Sequence, residues 1–238
     1  MISLVNFSMG YPGRMLLNNV DCVFDKGKLT ALVGRNGCGK STLLRSIASL
    51  SNDYDGNIII DGKNVRNIHP SVISKTVAFV STERIRVPNL LCRDLVSLGR
   101  APYTNWIGRM QEKDAEYVAD ALKIVGMEEF ALKSMDKMSD GECQRIMIAR
   151  ALAQQTPIIL LDEPTSFIDP PGRHELCELL ARLSREQGKT ILFSTHELSL
   201  AASYADVIAH ISPDCKMKKL PAGEFHADSY IKDDFKSF

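Results

Sequence analysis

The sequence predicts an α/β fold whose main sheet is parallel and covered on both faces. Three observations predict it. Short apolar, β-branched runs alternate with longer helical patterns along most of the chain. A glycine-rich, phosphate-type motif sits between one such run and the helix after it. Composition is that of an ordinary folded protein, with 45% hydrophobic and 24% charged residues. The 238 residues suffice for a full core in one or two domains.

In chain order, residues 4–32 read as short strands and turns, the turns marked by Gly10-Tyr11-Pro12-Gly13 and Lys26-Gly27. The apolar run Leu29–Val33 reads as a buried strand, and 41–50 as the helix that follows. Residues 57–65 carry Asp61-Gly62 between β-formers, a hairpin signal, so the N-terminal part adds an antiparallel sheet. Residues 77–81 read as a strand. Between about 83 and 153 the pattern is helical, with helices at 113–125 and 141–153 and no convincing strand. Alternation resumes with Ile158–Leu161, a helix at 172–187, a strand at 190–194, a helix at Leu198–Tyr204 and a strand at Val207–Ile211. The expected division is a core formed by 1–81 with 156–238, interrupted by a helical insertion at 82–155. No internal repeat or low-complexity segment is present.

Charge and composition exclude several classes. Lys+Arg and Asp+Glu are 29 each, so net charge is zero, which argues against clamping a nucleic-acid backbone on a long basic face. No stretch approaches the ~20 apolar residues that span a bilayer. Residues 1–11 lack the basic start and apolar run of a secretory leader. Six scattered cysteines without a C-x-x-C pair read as reduced thiols of a cytoplasmic protein. The zero balance is uneven. Residues 75–113 hold Lys75, Arg84, Arg86, Arg93, Arg100, Arg109 and Lys113 against Glu83, Asp94 and Glu112, a local +4. That excess reads either as a docking face or as a solvated helix surface.

Gly34-Arg35-Asn36-Gly37-Cys38-Gly39-Lys40-Ser41 matches G-x-x-x-x-G-K-[ST]. Residue frequencies give a chance match in roughly 1% of chains this long. The glycines let backbone N–H groups curl around phosphate oxygens, and the helix start adds positive potential. Lys40 is expected on the β- and γ-phosphates, Ser41 on Mg²⁺, with Thr42 next in the helix. The strand Ile158–Leu161 ends in Asp162-Glu163. Asp162 is the candidate to hold Mg²⁺ and Glu163 to polarise the attacking water. Ser139-Asp140-Gly141-Glu142 forms an S-x-x-E capping box before a largely apolar helix.

Taken together, the phosphate loop, Ser139 to Glu142, Asp162-Glu163 and His196 occur in an order that resembles the ATPase subunit of an ABC transporter, over nearly the whole chain. The resemblance implies a P-loop NTPase fold of the ABC-ATPase type, with a mixed-sheet core, an N-terminal antiparallel β subdomain and an inserted α-helical subdomain. It implies ATP and Mg²⁺ as ligands. It also implies a homodimer in which the Met138 to Glu142 signature of one copy, with Ser139 and Gly141 as donors, closes over nucleotide held by the other. Asp140 departs from the glycine usual at its position. His196 stands where the family's switch histidine meets the γ-phosphate. Ser166-Phe167-Ile168-Asp169 matches the D-loop, with Asp169 across the interface. Tyr11 stands where an aromatic side chain stacks on adenine. Thr82 occupies the place of the family's Q-loop glutamine, a metal-sensing position, and Glu83 beside it is a substitute for that role.

Leu98-Gly99-Arg100-Ala101-Pro102-Tyr103 and the run from His196 to Asp206 resemble stretches of ATPases serving iron-siderophore, haem and cobalamin importers. The implied partners are two transmembrane permease subunits and, indirectly, a solute-binding protein, with no nucleic acid. The implied location is the cytoplasmic face of the plasma membrane. Two alternatives stay open: a soluble non-transport ABC ATPase such as an iron-sulfur assembly type, and an ATP-binding regulatory module with little turnover. Thr82→Ala is expected to lower steady-state ATP turnover more than nucleotide affinity; unchanged turnover would remove Thr82 from the site.

Overall fold

A computed structural model describes residues 1–83, 85–104 and 111–225. The chain opens with β1 (Ile2–Tyr11) and β2 (Arg14–Phe24), a long antiparallel hairpin. Next come β3 (Leu29–Val33), α1 (Lys40–Ile47), β4 (Tyr54–Ile60), β5 (Lys63–Asn64), the single turn α2 (Pro70–Ile73) and β6 (Val77–Val80). The helical stretch carries α3 (Cys92–Ser97), a 3₁₀ segment at Leu98–Tyr103, α4 (Glu112–Ile124) and α5 (Asp140–Ala153). The chain then returns through β7 (Ile158–Leu161), α6 (Pro170–Gln187), β8 (Thr190–Thr195), α7 (Leu198–Tyr204), β9 (Val207–Ile211) and β10 (Met217–Pro221).

Two sheets result. One is antiparallel, in the order β2-β1-β4-β5; the other has six strands in the order β10-β9-β3-β8-β7-β6. In the larger sheet β9, β3, β8, β7 and β6 run parallel, and β10 closes one edge antiparallel. Every residue of β3, β7 and β8 is buried, which explains their nearly unbroken apolar sequences. Alternate residues serve different layers. Leu32, Leu160 and Leu192 pack with Phe7, Leu44 and Ile58 between the sheets. Ala31, Leu161 and Phe193 pack with Ile146 and Leu180 of α5 and α6 on the other face.

Three expectations need correction. Residues 4–32 are not short strands: β1 and β2 have 10 and 11 residues and are bent by bulges. Asn6 and Asn19 take φ of 47° and 49° there. The Asn6 N–H donates to the Asp21 carboxylate and that of Asn19 to Ser8 Oγ. One extra residue flips the inside-outside phase, so a continuous strand reads as two fragments. Gly56 on β4 crosses this bulge, and a Cβ there would fall 2.2 Å from Asn6 O. Second, β10 was not expected. Its Met217-Lys218-Lys219-Leu220-Pro221 sequence is charged and proline-ended, as suits an exposed edge. Third, α6 starts at Pro170, ahead of the expected 172, because proline is tolerated in the first turn. The Asp61-Gly62 hairpin does form, with positive φ at both residues, joining β4 to β5.

From β6 to β7 the described residues hold helices and one isolated bridge, Leu91 to Ser134. This stretch is fastened to the sheet by α5: Arg150 Nη2 donates to Phe79 O at 3.0 Å, and Gln154 Nε2 to Ser74 O at 2.6 Å. The segment Leu98–Tyr103 is the inner clasp. Arg100 belongs to the basic excess read as surface, yet it is 4% exposed. Its Nε donates to Asp114 Oδ1 at 2.8 Å and its Nη1 to Ala153 O at 2.7 Å. The guanidinium also lies over the Tyr103 and Tyr117 rings, at 4.0 and 4.4 Å from their centroids. Gly99 lets this turn meet α5, since a Cβ would fall 2.2 Å from Arg150 O. Arg84 and Arg109, two other members of the basic excess, lie outside the described residues. No described helix is long and apolar enough to cross a membrane. None of the six cysteines forms a disulfide, and burial pushes the thiols of Cys22 and Cys177 up to about 11 and about 12.

The Gln111 backbone N–H and then Arg100 hold the Asp114 carboxyl below its ordinary range. That stabilisation is present above the unfolded pKa and is lost as pH falls through the folded one. Arg100→Ala leaves the buried Asp114 carboxylate with no cation, its Gln111 N–H bond alone remaining. It is expected to cost about 3–5 kcal/mol in urea unfolding at neutral pH, and less in acid.

Candidate nucleotide site

The site forms at the carboxyl ends of the parallel strands. The turn from β3 into α1 is the glycine loop. Gly34, Gly37 and Gly39 all have positive φ, and at Gly39 (107°) a Cβ would meet Met9 Cε at 2.8 Å. Lys40 is 5% exposed. Its Nζ donates to Gly34 O at 2.9 Å and Arg35 O at 3.3 Å, so the ammonium is held over the loop it follows. Asn36 is exposed at the loop's tip. Arg14 at the start of β2 donates to Gly37 O at 2.9 Å, adding a cation beside Cys38 that sequence reasoning missed.

β8 lies between β3 and β7, and this order brings loop and acids together. Asp162, 3% exposed, accepts from Ser41 Oγ at 2.8 Å and from Ser194 Oγ at 2.7 Å, both on Oδ1. Ser194 Oγ in turn accepts from the Glu163 N–H at 2.8 Å. Glu163 has φ of 45°, strained for a non-glycine residue, just past the end of β7. Its carboxylate accepts from Ser166 Oγ at 3.1 Å and lies 4.0 Å from His196 Nδ1.

A second network lies behind these groups. Glu197 accepts from Thr165 Oγ1 at 3.2 Å and from Arg173 Nη1 at 2.9 Å, while Arg173 Nε donates to Ile168 O at 2.6 Å. The histidine turn and the segment 166–169 are thereby tied together. Asp169 stands at the N-cap position of α6, makes no side-chain capping bond there, and is exposed. Ser194, Glu197 and Arg173 escaped the sequence reading. A hydroxyl at the end of an apolar strand is the faint signal for Ser194. The other two are separated by 24 residues and carry none.

Tyr11, 60% exposed at the end of β1, lies with its hydroxyl 3.2 Å from Thr42 Oγ1. Beside it opens a cleft of about 470 Å³ lined by Gly10, Thr42, Arg45 and Asp53. Thr82 is half-buried just past β6; Glu83 is exposed, with Arg45 as its ion-pair partner at 3.9 Å. The capping box forms at α5: Ser139 Oγ accepts from the Glu142 N–H, and Glu142 accepts from the Ser139 N–H at 2.7 Å. That backbone bond above all holds the Glu142 carboxyl below its ordinary range, with Lys133 3.6 Å away. Gly141 faces Ile168, whose Cγ2 would lie 3.8 Å from a Cβ. The oxygen donors of Ser41 and Asp162 suit a hard cation that also binds phosphate oxygens.

The sequence model of the family described as ABC transporter matches residues 17–166. The achromobactin transport ATP-binding protein CbrD of Dickeya dadantii is 39% identical over 199 residues, covering 84% of this chain and 74% of that one. The iron(3+)-hydroxamate import ATP-binding protein FhuC of Bacillus subtilis is 33% identical, covering 98% of this chain and 87% of that one. The structure of a dimeric bacterial ABC transporter cassette superposes with a TM-score of 0.81 at 28% identity, covering 94% of this chain and 100% of that one.

Ser194→Ala removes one donor to Asp162 and orphans the Glu163 N–H. Turnover is expected to fall about tenfold with little change in nucleotide affinity, read from kcat against KM.

Proposed function

The chain belongs to the ABC transporter family as an ATP-hydrolysing subunit, and we propose that it powers an importer for iron–siderophore complexes. Within the wider expectation of siderophore, haem or cobalamin, the substrates named for the two relatives favour siderophores. One observation carries the catalytic reading: the Ser41–Asp162–Ser194–Glu163 chain of hydrogen bonds at the strand ends, beside Lys40.

In this reading Gly34, Asn36, Gly37, Cys38, Gly39 and Thr42 wrap the phosphates through backbone and hydroxyl donors, and Tyr11 stacks on adenine. Lys40 shifts its ammonium from loop carbonyls to the β- and γ-phosphate oxygens. Ser41 and Asp162 are the residues that would hold Mg²⁺, which would supply neutralisation of the phosphate charge. Glu163 polarises the attacking water; Ser166 holds its carboxylate and the bond to Ser194 holds its backbone. His196, 4.0 Å from that carboxylate, meets the γ-phosphate.

A single chain has one phosphate loop and one Ser139 to Glu142 turn, so a homodimer completes two sites. The dimeric cassette among the similar structures supports that assembly. Each copy brings Ser139, Gly141 and Glu142 over nucleotide bound by the other, and Asp169 across the junction. Thr82 and Glu83 relay site closure to two transmembrane permease subunits, which hold the pair at the cytoplasmic membrane face and serve a solute-binding protein.

Glu163→Gln is expected to cut MgATP turnover at least about a hundredfold while keeping ATP affinity. The measurement is phosphate release by the chain with and without permease subunits. Turnover that never depends on Glu163 would favour an ATP-binding regulatory module instead.

A further inference from the structure

Asp140 puts a carboxylate on the first residue of α5, beside Ser139 and Gly141. A helix N-terminus carries partial positive charge that suits anions, and a carboxylate placed there opposes the approach of a second anion. The structure sets a specific cation against it. Arg86 Nη2 lies 2.5 Å from Asp140 Oδ1. Arg86 comes from the segment that leaves β6 past Thr82 and Glu83, 54 residues earlier in the chain. The nearby Lys133 is paired with Glu142 instead. The Arg86 and Asp140 side chains are 46% and 29% exposed, so their pairing adds little to fold stability and acts on the potential at the surface.

We propose that Arg86 is a positioning residue of the signature turn: by neutralising Asp140 it lets the α5 N-terminus receive the phosphates of a nucleotide held by a second copy of the chain. This rests on the homodimer reading given above.

The test uses the full chain in a Glu163→Gln parent, with ATP-dependent dimerisation followed by light scattering and ATP affinity of the dilute monomer by a fluorescent ATP analogue. Arg86→Ala is expected to raise the ATP midpoint of dimerisation roughly tenfold, Arg86→Lys less, with monomer affinity and thermal midpoint unchanged. Added to Asp140→Gly, the same Arg86→Ala is expected to shift the midpoint less than about twofold, because no charge is left to neutralise. An Arg86→Ala midpoint equal to the parent's, or an equal penalty with and without Asp140, would overturn the proposal while leaving the homodimer standing. A parent that never dimerises with ATP would overturn the homodimer reading and this proposal with it.

Discussion

Asp162 accepts two hydroxyl hydrogens on one oxygen, and the arrangement of the site depends on that carboxylate. Ser41 reaches it from the phosphate loop and Ser194 from the neighbouring strand. Three chain segments are thus fixed to one buried charge, and Ser194 passes the constraint on to the backbone of Glu163. An ionised group 3% exposed is tolerable only with such partners. The strand order makes the partners available, since β8 separates β3 from β7 and all three end at the same edge.

The helical stretch meets this edge under a different physical rule. Its interior is held by a buried ion pair, Arg100 with Asp114, with the Tyr103 and Tyr117 rings against the guanidinium. Breaking such a pair is costly because each charge is stranded without water. The outer side uses exposed pairs, Arg86 with Asp140 and Lys133 with Glu142, which hold little energy but shape the field around α5. The interior is therefore fastened by a buried pair, while the charge at the start of α5 is set by exposed pairs.

Much of the fold was legible because parallel strands buried on both faces are nearly all apolar, as in Ile158–Leu161, and because Asp61-Gly62 admits few conformations. The bulges at Asn6 and Asn19 were illegible, since the stabilising Asp21 and Ser8 lie across the hairpin. The surface reading of Arg100 failed for a related reason: a charged residue looks exposed until its partner, 14 residues on, is brought to it. In the candidate site, Lys40, Ser41, Asp162 and Glu163 stood out because phosphate and metal chemistry demands those types next to a strand end. Ser194, Glu197, Arg173 and Arg14 did not, because hydrogen-bond partners far apart in sequence leave no local pattern.

By itself the sequence determined the alternation of strands and helices, the phosphate loop at a strand-to-helix turn, and the acid pair at another strand's end. Those features follow from local periodicity, glycine conformations and residue chemistry over a few positions. Tertiary structure alone decided the strand order that brings Ser194 between loop and acids, the buried Arg100–Asp114 clasp and the meeting of Arg86 with Asp140. Each of these joins residues from separate elements, and only the packing of the whole chain brings such groups within bonding distance.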